Sequence, residues 1–210
     1  MNQPVFRRQG ILFVISAPSG TGKTTLCENL RATPDFIYSV SCTTRAPRSG
    51  EVDGTDYHFL SQENFLSRAH NGEMLEYALV HGNYYGTLKS TVKEALMAGT
   101  DVLLDIDVQG AMSIRKTDDP TIRDSLVDVF IMPPTPEELE KRLRKRGTET
   151  EEQVQMRLRT GREESKLWSL YKYTILSGSM EEDLIKFRAI MRAERYLSRR
   201  LELHDRTPAN

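Results

Sequence analysis

Short apolar, β-branched runs alternate along this chain with longer stretches in which apolar residues recur at helical spacing, a pattern that predicts a parallel sheet with helices on both faces. The runs are ILFVIS (11–16), DVLLDI (101–106), VDVFIM (127–132) and YKYTIL (171–176), each apolar enough to be buried on both sides. Residues 37–88 break the rhythm. There IYSVSCT, YHFL, MLEYALV and YYGTL are strand-like pieces separated by the turn sequences RSGEVDG and HGN, which predicts a small, mostly antiparallel insertion. A second, helical insertion is expected over about 133–166. Thr135 and Glu138 spell a capping box with Pro136 at the first helical position, Gly147 stops that helix, and Thr150 with Gln153 opens the next. From Ser179, boxed with Glu182, the spacing predicts one long amphipathic helix to about Leu203, with LHDRTPAN fraying beyond it. The main sheet and its helices then occupy about 8–36, 89–132 and 167–205 of a single α/β domain.

Composition narrows the partners. With 210 residues, 38% hydrophobic and 28% charged, the chain has the make-up of a soluble globular protein with one sizeable core. Its 29 basic residues against 30 acidic ones leave a net charge of −1, so neither nucleic acid nor an anionic membrane is an expected partner. No apolar run reaches membrane-spanning length and MNQPVFRRQG lacks a signal-peptide core, so the chain reads as cytosolic. Cys27 and Cys42 lie outside any metal-ligand or C-x-x-C spacing and are read as packing residues.

The chemistry begins at SAPSGTGKTT (16–25), directly after the first apolar run. A strand, a Gly-rich turn and Gly-Lys-Thr opening a helix make a phosphate cradle, because backbone N–H groups and the helix N-terminus converge on an anion. The phosphates of a nucleotide are therefore expected against Ala17, Pro18, Ser19, Gly20, Thr21, Gly22, Lys23, Thr24 and Thr25, with Lys23 on the β- and γ-phosphates and the Thr24 hydroxyl on Mg²⁺. Ala17 stands where the usual pattern has its first Gly. The fold class expected is thus a P-loop NTPase-type parallel sheet flanked by helices.

The loop alone does not say where the last phosphate goes. In VSCTTRAPRSGEVDGTDYHF, Arg45 and Arg48 stand three apart around Pro47, with Tyr57 closing a turn-rich loop. Two guanidinium forks and a phenol suit a phosphate monoester dianion. Together SAPSGTGKTTL, SCTTRAPRSGEVDGTDYHF, LEYALVHGNYYGT, LLDIDVQGA and KRLRKRGTETEEQVQMRL, in this order and spacing, resemble the guanylate kinase family over about Leu12 to Leu176. The resemblance implies Mg-dependent transfer of the ATP γ-phosphoryl group to GMP, giving GDP and ADP in purine nucleotide metabolism, on a core carrying a GMP-binding insertion (about 37–88) and a mobile lid (about 133–166). It also implies that Ser41, Arg45, Arg48, Tyr57, Glu76, Tyr85, Thr87 and Asp107 are GMP-site residues, and that Arg142, Arg146 and Arg157 surround the ATP phosphates.

The residues support that chemistry in their own right. Guanine offers two adjacent donors, N1–H and the 2-amino group, and one carboxylate such as Glu76 accepts both. Tyr84 is expected to pack and Tyr85 to reach the phosphate. Asp105 and Asp107 end a strand at the sheet edge where ligands bind, Asp105 to order the Mg²⁺ hydration shell or Lys23, Asp107 to face the acceptor. No general base is required, since the GMP phosphate is already an anionic nucleophile and catalysis is positioning plus electrostatics. Arg142 and Arg146 fall on one helix face at i, i+4. One departure stands out: ILSGSMEED puts Ser177 and Gly178 where guanylate kinases often carry Asn-Asp near the adenine. Two other readings keep the fold: a non-catalytic interaction module, disfavoured by the presence of Lys23 and Thr24, and a ribose-phosphate kinase, disfavoured by Glu76. The final basic stretch reads as a charged amphipathic helix, with subunit contact in a homo-oligomer as the alternative.

Overall fold

The computed structural model describes residues 5–18, 20–80, 82–145 and 150–204. The first half of the chain forms β1 (Val5–Arg8), β2 (Leu12–Ser16), α1 (Lys23–Arg31), β3 (Ile37–Tyr38), β4 (Cys42–Thr43), β5 (His58–Phe59), α2 (Gln62–His70), β6 (Met74–Val80), β7 (Asn83–Leu88) and α3 (Lys89–Met97). The second half forms β8 (Val102–Asp105), α4 (Val108–Arg115), α5 (Pro120–Ser125), β9 (Leu126–Met132), α6 (Pro136–Lys145), α7 (Glu151–Ser165), β10 (Tyr173–Leu176), α8 (Met180–Arg195) and β11 (Leu201–His204).

Five parallel strands lie in the order β10-β9-β2-β8-β3. The alternation within β2 shows why both faces are covered. Phe13 and Ile15 pack with Leu26 and Leu30 of α1 and with Phe187 and Met191 of α8, whereas Leu12 and Val14 pack with Val92 and Leu96 of α3, Ile114 of α4 and Ile122 of α5. Phe13 meets Phe187 edge to face at 5.9 Å. Because all five strands run the same way, the phosphate loop, the Asp105–Asp107 segment, the entry to α6 and Ser177 all leave from one edge.

A separate four-stranded sheet, β5-β4-β7-β6, is built on the antiparallel β6/β7 hairpin, with β5 parallel to β4. Phe65 of α2 is fully buried beneath it and stacks on Tyr84 at 5.4 Å, the packing expected of that tyrosine.

Four expectations need correction. The run 171–176 is expected to be buried on both sides, yet Tyr173–Leu176 is an edge strand against β9 with Thr174 and Leu176 exposed. Ile37 and Tyr38, expected in the insertion, pair with Val102 and Leu103 as the edge strand of the main sheet. The final helix ends at Arg195 and does not run on to Leu203; Leu201–His204 turns back as a strand against Val5–Arg8, with Leu203 opposite Phe6. Distant partners decide this. The buried Asp101 carboxylate takes Arg8, Arg195 at 2.7 Å and the Ile11 N–H at 2.9 Å, and buried Glu194 takes Lys172, Arg200 and the Tyr173 hydroxyl, so β1 and the segment leading into β11 are tied to the core where a helix would carry the latter away. Finally, Thr135 does cap α6, accepting from the Glu138 N–H at 3.1 Å, but the Glu138 carboxylate engages Arg142. The boxes Thr150/Gln153 and Ser179/Glu182 form in full. Gly147, expected to stop α6, and the tail beyond His204 lie outside the described residues.

Candidate active site

The phosphate loop turns through Gly20 and Gly22, at φ 92° and 102°, conformations that exclude a β-carbon at little cost only for glycine. Gly20 is doubly constrained, since a Cβ there would come within 2.7 Å of the Leu143 side chain. Gly22 caps α1 without a side-chain acceptor, leaving the first N–H groups of the helix without a capping side chain. Lys23 folds back over the loop: its Nζ lies 2.7 Å from Asp105 Oδ1 and donates to the Ile106 carbonyl at 2.8 Å. Ser19 lies outside the described residues; Ala17, Pro18 and Thr21 are buried, and Thr24 and Thr25 are exposed at the start of α1.

Between α1 and the 55–57 turn runs a cleft of ≈ 540 Å³ lined by Thr24, Cys27, Ser41, Tyr57 and Asp105 among others. Burial and the neighbouring Asp105 push the Cys27 thiol up, so it is no nucleophile at neutral pH. Arg45 is gripped by both oxygens of Glu51 at 2.9 and 2.8 Å and lies 5.5 Å from the Tyr57 ring centroid; Tyr57 in turn meets Tyr85 edge to face at 6.1 Å. Glu51 also accepts the Arg48 N–H at 2.7 Å, and this donor set holds its carboxyl below the usual range. Glu51 thereby sets the conformation of the arginine loop, a role sequence reasoning missed. Its signal was available as the one carboxylate three residues after Arg48.

Ser41 lines that cleft, while Glu76 and Thr87 face each other on β6 and β7 and Asp107 opens α4. Glu76 on β6 is 8% exposed, and its Oε1 accepts the Thr87 hydroxyl at 2.7 Å. Burial pushes its carboxyl up to about 7, with Asp107 adding to the rise and the Thr87 hydrogen bond opposing it. Asp107 is the N-cap of α4, accepting from the Gly110 N–H at 2.7 Å. Gly110 was not anticipated either. A Cβ there would stand 2.9 Å from Glu76 Oε2 and 3.3 Å from Asp107 Oδ1, so the bare backbone lets α4 approach the carboxylate.

Above the loop sit α6 and α7. Arg142 Nη1 donates to the Thr21 carbonyl at 2.9 Å and to the Ser177 hydroxyl at 3.3 Å, and Gly161 of α7 lies against Pro18 and Leu139. Glu164, one turn beyond Gly161, has its carboxyl raised by burial and by Asp107 and lowered by Lys23, which marks it as a further carboxylate of this edge. Nothing in REES distinguishes it from a solvent-facing glutamate. Arg157 is half-buried on α7, and Arg146 lies outside the described residues.

The Thr24 hydroxyl and the Asp105 carboxylate are hard oxygen donors on one cleft wall, and no cluster of three or more His, Cys, Asp or Glu suited to a metal occurs among the described residues. That sparse set fits Mg²⁺ bound with a nucleotide, which keeps waters and phosphate oxygens as its other ligands. No helix among the described residues is long and apolar enough to cross a membrane.

The family model described as guanylate kinase matches residues 9–194. A guanylate kinase of Clostridium tetani is 44% identical over 187 residues, covering 89% of this chain and 88% of its own length. One of Maricaulis maris is 45% identical over 195 residues, covering 91% and 88%. The crystal structure of guanylate kinase from Anaplasma phagocytophilum superposes with a TM-score of 0.71 at 35% identity, covering 94% of this chain and 92% of that one.

Proposed function

The chain belongs to the guanylate kinase family, whose activity is transfer of a phosphoryl group from ATP to GMP, and on that premise we propose how its residues divide the work. Ala17 through Thr25 bind the ATP phosphates, and Lys23 exchanges Asp105 and the Ile106 carbonyl for β- and γ-phosphate oxygens. Thr24 directly and Asp105 through water hold Mg²⁺, which supplies charge neutralisation of the transferring group. Arg45, Arg48, Tyr57 and Tyr85 take the GMP phosphate, Arg45 sharing its fork between Glu51 and the ligand. Glu76 accepts guanine N1–H and the 2-amino group, with Ser41, Thr87 and Asp107 completing the base contacts. Arg142 and Arg157, with Arg146, surround the ATP phosphates from the lid side.

The observation that carries this reading is Glu76: a nearly buried carboxylate whose hydrogen bonding among the described residues uses only Oε1. A carboxylate kept at that desolvation cost, in a site one sheet edge away from a phosphate lysine, calls for a ligand bearing paired donors. Adenine lacks such a pair, and sites built on polar complementarity reject mismatched partners by about 10⁴–10⁵. The test is ADP release from Mg·ATP with GMP, AMP, CMP, UMP, a ribose phosphate or no acceptor at equal concentration. Turnover restricted to GMP and its deoxy form is expected; turnover with a ribose phosphate would overturn the acceptor assignment.

A further inference from the structure

Ser177 and Gly178, which occupy the positions expected to hold Asn-Asp, sit in a hydrogen-bond chain that reaches the phosphate loop. Ser177 is 4% exposed. Its hydroxyl accepts from Arg142 Nη1 at 3.3 Å and donates to Asp183 Oδ2 at 3.0 Å, while Asp183 Oδ1 takes the Gly178 N–H at 2.9 Å. Arg142 Nη1 also donates to the Thr21 carbonyl at 2.9 Å, and its Nε to Glu138 at 3.1 Å. The direction of the chain is forced, since guanidinium only donates, carboxylate only accepts and one hydroxyl does both. Capping α8 does not explain Asp183, because Ser179 and Glu182 already form that cap in full. Arg142 Nη2 makes no hydrogen bond among the described residues, so one arm of the fork is left for a phosphate oxygen.

We propose that Ser177 and Asp183 are positioning residues that hold the Arg142 guanidinium on the phosphate loop before the donor nucleotide binds. The inference rests on the reading of Arg142 as an ATP-phosphate ligand. Asp183 fixes the Ser177 hydroxyl, the hydroxyl fixes Nη1, and the guanidinium is already oriented on the phosphate loop, so less ordering remains to be done when ATP enters.

The experiment is a double-mutant cycle on the full chain, with initial rates measured against ATP and against GMP. Ser177→Ala is expected to lower kcat/KM for ATP by roughly tenfold, the scale of one charge-assisted hydrogen bond, with the KM for GMP unchanged. Ser177→Thr, which keeps the hydroxyl, restores activity to within about twofold. Asp183→Asn breaks the direction of the chain and behaves like Ser177→Ala, providing the same test should the alanine variant fail to fold. In an Arg142→Ala background, adding Ser177→Ala costs less than about twofold, because its effect is exerted through the missing arginine. Multiplicative losses in the double variant, or equal rises in the KM for ATP and for GMP, overturn the positioning role. An Arg142→Ala enzyme with unchanged kcat and KM for ATP overturns the reading of Arg142 itself, and is recognisable as that failure because it involves no change at Ser177.

Discussion

Replacing Glu76 by Gln tests the central carboxylate through two independent readouts. Burial disfavours the Glu76 anion in the folded protein and pushes its carboxyl up to about 7, against an ordinary value of 4.5. The folded state therefore binds that proton more tightly than the unfolded chain, and the resulting stability is complete below 4.5 and lost as the pH rises through about 7. At about 1.4 kcal/mol for each tenfold difference in proton affinity, the loss between pH 5 and pH 8 is on the order of 2–3 kcal/mol. Glutamine carries no such proton, so Glu76→Gln should gain on the order of 2–3 kcal/mol on the parent over that interval, or roughly 5–10 °C in Tm for a chain of this size. Urea and thermal unfolding of both proteins at pH 5 and pH 8 measure the difference, and taking it between two pH values cancels the constant effect of the amide. The second readout is guanosine affinity, chosen because the GMP phosphate has its own ionisation near pH 6. Only the Glu76 anion accepts both guanine donors, so guanosine should bind the parent about tenfold more weakly at pH 6 than at pH 8. It should bind the variant weakly at both. Parallel stability profiles for the two proteins would refute the captured proton, and a variant that still binds guanosine like the parent would refute the role in base reading.

Other perturbations follow from the same geometry. Lys23→Ala removes the ammonium held by Asp105 and should nearly abolish turnover while leaving GMP binding measurable by calorimetry; an active variant would contradict the phosphate-loop assignment. Gly110→Ala places a methyl group 2.9 Å from Glu76 Oε2, so the KM for GMP should rise by roughly ten- to a hundredfold with the KM for ATP little changed, as steady-state rates would report. Asp101→Ala strips the buried partner from Arg8, Arg195 and the Ile11 N–H and should cost about 3–5 kcal/mol in urea unfolding; a loss under about 1 kcal/mol would show that the two chain ends are held by other means.

The pattern of the sequence was sufficient where the physics is local or periodic. Near-continuous apolar runs specified four of the five strands of the main sheet, β2, β8, β9 and the edge strand β10; Gly20, Gly22 and Lys23 specified a phosphate loop, and the boxes at Thr150 and Ser179 specified two helix starts, because each depends on residues only a few positions apart. Motif spacing pointed to Arg45 and Asp105 and the family resemblance to Glu76, but neither said what would touch them. Tertiary structure alone decided that Glu51 grips Arg45 and that Gly110 lets α4 close on Glu76. It also decided the termini. The helical spacing past Arg195 gave way to a strand because Leu201–His204 finds Val5–Arg8 nearly two hundred residues away, held by carboxylates at Asp101 and Glu194. Burial and long-range pairing depend on which segments meet in space, and a hydrophobic period records only which face of a segment seeks cover.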